Sequence, residues 1–128
     1  MSLDRIQLSQ GARDQLVRLK THTGLRQWNE LCRWAFCVSL SEPGIPAPSK
    51  IPADSNVEMS WRVFGGAYAD VYLALLKQRC HQDGFELDDE TLDDQFRLHL
   101  HRGIGYLFGD KDRRSISGLI GRALTESS

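Results

Sequence analysis

The chain has 128 residues, of which 41% are hydrophobic and 26% charged, and its formal net charge is −1. These values are typical of one globular domain with its own hydrophobic core, and they exclude a wholly disordered chain. No apolar run approaches the roughly 20 residues of a membrane span, and residues 1–10 do not read as a signal peptide. Three cysteines without tight spacing predict a reduced, cytoplasmic protein.

The first predicted elements are a short strand and a helix. Residues 5–9 alternate polar and apolar side chains, so Ile6 and Leu8 are expected to face the core. Ser9 is a suitable N-cap for the helix that follows, because its hydroxyl can accept a hydrogen bond from an unpaired backbone N–H. Gly24 can adopt the left-handed turn that ends this helix.

A second helix is predicted over residues 25–40, where apolar side chains form a wide stripe. Together with the strand and first helix it gives a strand-helix-helix unit over residues 5–40. All four prolines then fall within residues 41–58. Proline blocks helix continuation and sheet pairing, so this segment is predicted to be a loop.

The next predicted helix runs over residues 60–82 and has two apolar faces, which is typical of a central helix. The faces consist of Phe64, Tyr68, Val71 and Leu75, and of Val63, Ala67, Tyr72 and Leu76. Gly65 and Gly66 near its start either permit close approach of another helix or mark a later start. The sequence leaves both alternatives open.

A further helix is predicted to begin at Asp88, Asp89 and Glu90, because carboxylates are favoured at the positive end of the helix dipole. It ends near Gly109, and its predicted inner face consists of Leu92, Phe96, Leu100, Gly103 and Leu107. Ser115 can cap a last short helix, and residues 125–128 are expected to fray.

The predicted fold is therefore mainly α, with a short N-terminal strand and about five helices. Residues 1–128 form a single domain, in which residues 60–124 make up the helical part that follows the loop.

Charge is unevenly distributed along the chain. Six basic and three acidic side chains give residues 1–38 a net charge of +3. Residues 39–100 have five basic and eleven acidic side chains and a net charge of −6, whereas residues 101–128 carry +2. Such asymmetry can mark an interaction surface, although mixed charge also solvates ordinary helices.

The sequence predicts neither a metal centre nor a catalytic site, and no cofactor is expected. Cys32 and Cys37 point roughly 140° apart on one helix, and His99 and His101 face different directions. We therefore predict buried structural thiols and surface or capping histidines. The carboxylates of residues 88–94 follow one another on one helix, whereas two-metal nucleases need ligands from different elements, so a solvated capping face is favoured.

The order strand, helix, helix is that of a ribbon-helix-helix DNA-binding module. In such modules two chains pair their strands, and the outward side chains enter the major groove. Arg5 and Gln7 would face outward, and these side chains are suited to guanine and adenine edges. Backbone N–H groups around residues 26–28 could hold a phosphate. Many small helical proteins begin with a similar pattern, so the pattern alone does not establish DNA reading.

Several separated runs resemble the DndE family. They are RIQLS (5–9), LKTHTGL (19–25), LCRWAFCVSLSE (31–42), GIP (44–46), ALLKQRCHQDG (74–84) and HRG (101–103). They follow one another in the right order over about residues 5–108, and none of them is a catalytic signature. DndE proteins belong to the bacterial DNA phosphorothioation system, which replaces a non-bridging phosphate oxygen with sulfur.

The resemblance implies a ribbon-helix-helix-like subunit that forms a homotetramer and binds DNA, with a preference for nicked duplex. It also implies work alongside DndC, which activates sulfur, and DndD, an ATPase. We therefore expect a non-catalytic DNA-binding subunit. Two alternatives remain open: a DNA-nicking endonuclease of the same system, for which no residues can be named, and an adaptor that bridges the sulfur-transfer and ATPase subunits.

The expected DNA-binding residues all lie in the strand-helix-helix unit, and they are Arg5, Gln7, Arg13, Arg18, Lys20, Arg26 and Arg33. The resemblance matches the basic positions Arg5, Arg18, Lys20 and Arg33, and Arg13 and Arg26 lie in the same matching segment. The acidic segment 86–94 is expected to point away from DNA, toward protein partners.

Overall fold

A computed structural model describes residues 5–24 and 27–109. Its elements are β1 (Ile6–Gln7), α1 (Gln10–Thr23), α2 (Trp28–Ser41), β2 (Glu58–Met59), α3 (Trp61–Gly65), α4 (Ala69–Gln82) and α5 (Asp89–Gly109), with a 3₁₀ turn at Gly66–Tyr68. The mainly helical fold with a short N-terminal strand is confirmed. The predictions for Arg26, for the helix capped by Ser115 and for residues 125–128 lie outside the described residues.

The first helix begins and ends where the sequence predicts. Ser9 has an extended backbone, and its hydroxyl accepts a hydrogen bond from the Ala12 N–H at 3.1 Å. Gly24 follows the last turn with a φ of 76°, and its N–H donates to the Lys20 carbonyl. Glycine adopts this left-handed geometry without steric strain. The second helix begins later than predicted, at Trp28 rather than residue 25.

β1 pairs with β2, a strand of its own chain. Ile6 lies opposite Met59, and Gln7 lies opposite Glu58, in an antiparallel register. The prediction of a loop through residue 58 therefore missed β2. The reason is that proline restricts only its own surroundings, and the last proline, at position 52, leaves the following residues free to pair.

α2 and α5 pack against each other at the centre of the molecule. A Cβ placed on Gly103 of α5 would lie 1.7 Å from the Ala35 carbonyl oxygen of α2, so only glycine fits this crossing. The predicted inner face of α5 is confirmed, because all of its members are buried: Leu92, Phe96, Leu100, Gly103 and Leu107. The predicted core positions of β1, Ile6 and Leu8, are buried as well.

The helix predicted over residues 60–82 is divided in two. Ser60 caps α3, because its hydroxyl accepts a hydrogen bond from the Val63 N–H at 3.1 Å. Gly66 then has a φ of 58°, which interrupts the helix, and α4 begins only at Ala69. A Cβ on Gly65 would lie 2.8 Å from the Ala69 Cβ. Gly65 therefore permits a close approach between α3 and α4, and Gly66 causes the later helix start, so both alternatives hold.

α4 is not the central helix that its two apolar faces predicted. Its buried residues are Leu76, Arg79 and Cys80. Tyr68, just before α4, is 67% exposed, and on the helix Val71 is 53% and Leu75 38% exposed. We call these three the α4 stripe. They stay exposed because α2 and α5 already fill the centre, so that α4 packs at the edge through its opposite side.

Three arginines hold the proline-rich segment in place. Arg79 is buried and donates hydrogen bonds of 2.8–2.9 Å to the main-chain carbonyls of residues 40–44. Arg102 donates to the Gly44 carbonyl and to the Ser39 carbonyl of α2, both at 2.8 Å, and Arg97 donates to the Ile51 carbonyl at 3.0 Å. These bonds satisfy carbonyls at the end of α2 and in the loop that follows it, where regular helix and sheet hydrogen bonding stops.

The predictions for cysteines and histidines need two corrections. Cys32 and Cys80 are buried as expected, but Cys37 is exposed, because five residues of helix turn it away from the face that holds Cys32. His99 is not a surface or capping histidine. It is fully buried, and its Nδ1 lies 2.8 Å from the Ser39 Oγ.

Candidate nucleic-acid interface

The outward side chains of β1 are paired within the chain. The Arg5 Nε lies 2.7 Å from a carboxylate oxygen of Glu58, on the opposite strand. The Gln7 Nε2 donates to the Ser55 carbonyl at 2.9 Å. Arg5 remains 71% exposed, so water competes with its ion pair. Gln7 could bind a base edge only after breaking its hydrogen bond to the Ser55 carbonyl.

Two of the other predicted residues also have partners. The Arg13 Nη1 lies 3.4 Å from a carboxylate oxygen of Asp14, its neighbour in α1. The Arg33 Nη1 donates to the Phe64 carbonyl at 3.3 Å and so joins α2 to α3. Arg26 lies outside the described residues.

Arg18 and Lys20 lie two positions apart near the end of α1 and point to different sides of the helix. The guanidinium carbon of Arg18 lies 5.8 Å from the ring centre of Phe108, near the end of α5. The Lys20 Nζ lies 4.4 Å from the ring centre of Trp28, at the start of α2. We call these four residues the basic end. An aromatic face orients a cation without cancelling its charge, and in the described part of the chain neither cation has a carboxylate partner.

Sequence reasoning missed the two aromatic supports and one more basic residue. Arg62 is exposed in α3, the one-turn helix whose Phe64 carbonyl binds Arg33. Phe108 gave no sequence signal, because it lies 90 positions from Arg18. Trp28 could have been found, since the turn at Gly24 folds the start of α2 back toward the end of α1.

The acidic segment lies at the other end of α5. Asp88 caps this helix through a 2.8 Å hydrogen bond from the Thr91 N–H, which holds the pKa of the Asp88 carboxyl below its ordinary value. Exposed carboxylates surround it, at Glu86, Asp89, Glu90 and Asp94. α5 has 21 residues and is about 31 Å long. The acidic end and the basic end are therefore separated by most of the molecule.

The three arginines bound to carbonyls of the proline-rich segment are not candidates for phosphate contacts. Arg79 is 8% exposed, and Arg97 and Arg102 are half-buried. Of residues 5–24 and 27–109, no three His, Cys, Asp or Glu side chains are grouped so that they could hold a metal ion. Nor does any helix in those ranges have the length and apolar character to cross a membrane.

A comparison with known protein families identifies the family of this chain. The model of the DndE family, described as DNA sulphur modification protein DndE, matches residues 5–115. The chain belongs to the DndE family. This confirms the resemblance drawn from the separated sequence runs, and the match includes every helix and strand described above. DndE-family proteins act in DNA phosphorothioation.

Two solved DndE structures have a similar fold. DndE from Escherichia coli B7A, involved in DNA phosphorothioation modification, is 25% identical with a TM-score of 0.68 and covers 81% of this chain and 95% of its own. A DndE mutant involved in DNA phosphorothioation is 24% identical with a TM-score of 0.65, and the likeness covers 84% of this chain and 98% of that one. No curated protein matches the chain.

Proposed function

We propose that this DndE-family protein is a non-catalytic DNA-binding subunit of the phosphorothioation machinery that holds duplex DNA, preferentially at a nick. The observation that carries the proposal is the separation of charge along α5. Arg18 and Lys20 present cations without a carboxylate partner among residues 5–24 and 27–109 at one end, and exposed carboxylates occupy the other end. A DNA backbone is attracted to the basic end and repelled by the acidic end, which orients the subunit on its ligand.

The preference for a nick follows from mechanics and requires no base reading. Arg18 and Lys20, with Arg33 of α2 and Arg62 of α3, would contact phosphates, which are the same in every sequence. A nick interrupts one strand and so lowers the energy needed to bend the duplex against a curved protein surface. The hydrogen bond between Gln7 and the Ser55 carbonyl agrees with this mechanism, because phosphate binding does not require a free Gln7 side chain.

We further propose that copies of the chain meet through the α4 stripe to form a homotetramer. Exposed apolar side chains at Tyr68, Val71 and Leu75 lie along one side of α4, and such stripes commonly mark protein contacts. A tetramer would present four basic ends, so that several weak phosphate contacts act together on one DNA molecule.

The acidic end supports a second candidate function, that of an adaptor. Its exposed carboxylates, Glu86, Asp88, Asp89, Glu90 and Asp94, are unsuited to DNA but could bind basic surfaces of DndC or DndD. The two functions are compatible, since DNA and protein partners would occupy opposite ends of α5.

The proposal is tested with one duplex prepared intact, with a central nick, and as a single strand. We expect the tightest binding to the nicked duplex in a gel shift at fixed salt. Replacing both Arg18 and Lys20 by Ala should weaken binding by roughly tenfold or more, because at least two phosphate contacts are lost.

The matched control replaces Lys50 and Lys77, which are exposed elsewhere, by Ala and so removes the same charge. An equal loss of affinity in both double variants would mean that overall charge, not the basic end, binds DNA. Binding to intact duplex as tight as to nicked duplex would contradict the nick preference and favour the adaptor.

A further inference from the structure

A cleft of about 350 Å³ lies between α2 and α4. Its walls are Glu30, Arg33, Trp34 and Cys37 from α2 and Tyr72 from α4. The four α2 residues are spaced by three and four, so they form one stripe on the helix. The cleft therefore combines two aromatic rings, one cation and one carboxylate, and its volume lies within the range of about 300 to 1,000 Å³ that is typical of small-molecule sites.

The walls of the cleft are held in place by contacts behind them. The Tyr72 ring packs edge-on against Phe64, with ring centres 5.4 Å apart, and also against Phe36 at 6.3 Å. The Arg33 guanidinium is anchored by its 3.3 Å hydrogen bond to the Phe64 carbonyl. A ligand would therefore meet a formed site, with little ordering of side chains needed on binding.

The chemistry of these walls suits a planar heterocycle. Indole and phenol rings stack on bases of any sequence, and a guanidinium plane does the same. The Glu30 carboxylate can accept hydrogen bonds from an exocyclic amino group. It also repels a phosphate, which a purely basic cleft would attract. The set of side chains thus favours a base over the sugar-phosphate backbone.

We propose that this cleft receives a nucleobase that has left the helical stack at the nick of a bound DNA. The inference rests on the proposed DNA-binding function and adds a base-binding site beside its candidate phosphate ligand Arg33. The terminal base at a nick is linked to its own strand on one side only. Extruding it therefore requires less energy than extruding a base from an intact duplex. Capture of that base would strengthen the preference for nicks beyond what bending supplies.

The test uses the full-length wild-type protein and a nicked duplex with 5-iodouracil as the terminal base at the nick. Irradiation of the complex should crosslink this base to Trp34 or Tyr72, as identified by mass spectrometry of the digested protein. A duplex with 5-iodouracil five base pairs from the nick is the control and should give at least fivefold less crosslinked product. Crosslinks of bound DNA that map elsewhere would overturn the cleft assignment.

A variant supplies the second readout. Trp34→Leu should reduce at least threefold the ratio of the affinity for nicked duplex to the affinity for intact duplex. The affinity for intact duplex and the mass of the protein by light scattering should stay unchanged. A changed mass would show that the cleft is a contact between subunits, which also overturns the assignment. If the wild-type protein does not bind the nicked duplex at all, the proposed DNA-binding function itself has failed, which is distinct from a bound complex without the crosslink.

Discussion

His99 of α5 is buried against α2, and this burial, with the neighbouring cations, sets its charge state. The Arg102 Nε donates to the Ser39 Oγ at 2.8 Å, and the same oxygen lies 2.8 Å from the His99 Nδ1. Burial, and next the cations of Arg79 and Arg102, lower the pKa of His99 to about 4.

Acid is therefore expected to destabilise the fold through His99. Its pKa is about 6.5 in the unfolded chain and about 4 in the folded one, so the unfolded chain binds the proton first. The contribution of neutral His99 to the free energy of unfolding is fully present above pH 6.5 and is lost as the pH falls from there toward 4. By linkage the loss at pH 5.5 is about 1 kcal/mol, which urea unfolding at pH 7.5 and pH 5.5 would measure.

His99→Asn is the matched variant for this measurement, because its side-chain oxygen can accept from the Ser39 hydroxyl but does not titrate. His101, whose pKa is also lowered by burial, is present in both proteins. The variant should therefore lose about 1 kcal/mol less than the wild type between the two pH values. Equal losses would assign the acid sensitivity to other groups.

At the scale of elements, apolar spacing identifies a helix face, and the neighbouring elements decide whether that face is covered. The inner face of α5 was predicted correctly, because α2 lies along it and leaves room only for glycine at position 103. The α4 stripe has the same kind of spacing, yet it stays exposed. Gly66 ends α3 and lets α4 start in a new direction at the edge of the molecule, which periodicity alone does not reveal.

Two glycines of α5, 103 and 105, provide a direct test of the α2–α5 crossing. Gly103→Ala is expected to destabilise the protein by at least about 3 kcal/mol, because the atom that its Cβ meets belongs to the Ala35 backbone and has no rotamer to change. Gly105 has nothing within 4 Å of a Cβ. Gly105→Ala should therefore stabilise the protein by roughly 0.5–1 kcal/mol.

Urea denaturation of the two variants beside the wild type measures both effects on one helix. Since the substitutions are chemically identical and two positions apart, any difference between them reports the crossing and not helix propensity. Stabilities within about 0.5 kcal/mol of each other would show that the helices cross less closely than described.

At the scale of the whole molecule, charge and apolar surface are distributed over separate regions. The basic end and the acidic end lie at opposite ends of α5, and the α4 stripe lies on another helix, so DNA, protein partners and further copies of the chain could bind at the same time. Such separation would let a subunit with only a few cations bind DNA through several copies.

Charge placed on the α4 stripe tests the proposed tetramer. Replacing Val71 and Leu75 by Glu should lower the mass measured by light scattering, because two carboxylates would have to be buried in each contact. Affinity for nicked DNA should fall with it, as fewer basic ends act together. Helix content by circular dichroism should not change, since both side chains are exposed.

The control for this experiment is Leu87→Glu, an equally apolar side chain that is 45% exposed near the acidic end. It should leave the mass of the assembly unchanged. A tetramer that survives the double substitution would place the contact between subunits on another surface.

The sequence by itself determined the features that depend on residues close along the chain. The caps of α1, the buried side of β1, the inner face of α5 and membership of the DndE family follow from local pattern, because a cap or a helix face involves residues within about four positions of each other. Only the tertiary structure decided which charged side chains are available. The carbonyls that occupy Arg79 and Arg102 lie 35–63 positions away, and the ring that orients Arg18 lies at the far end of the described chain. Long-range packing, which local pattern cannot specify, thus separates the basic end from the arginines that hold the fold together.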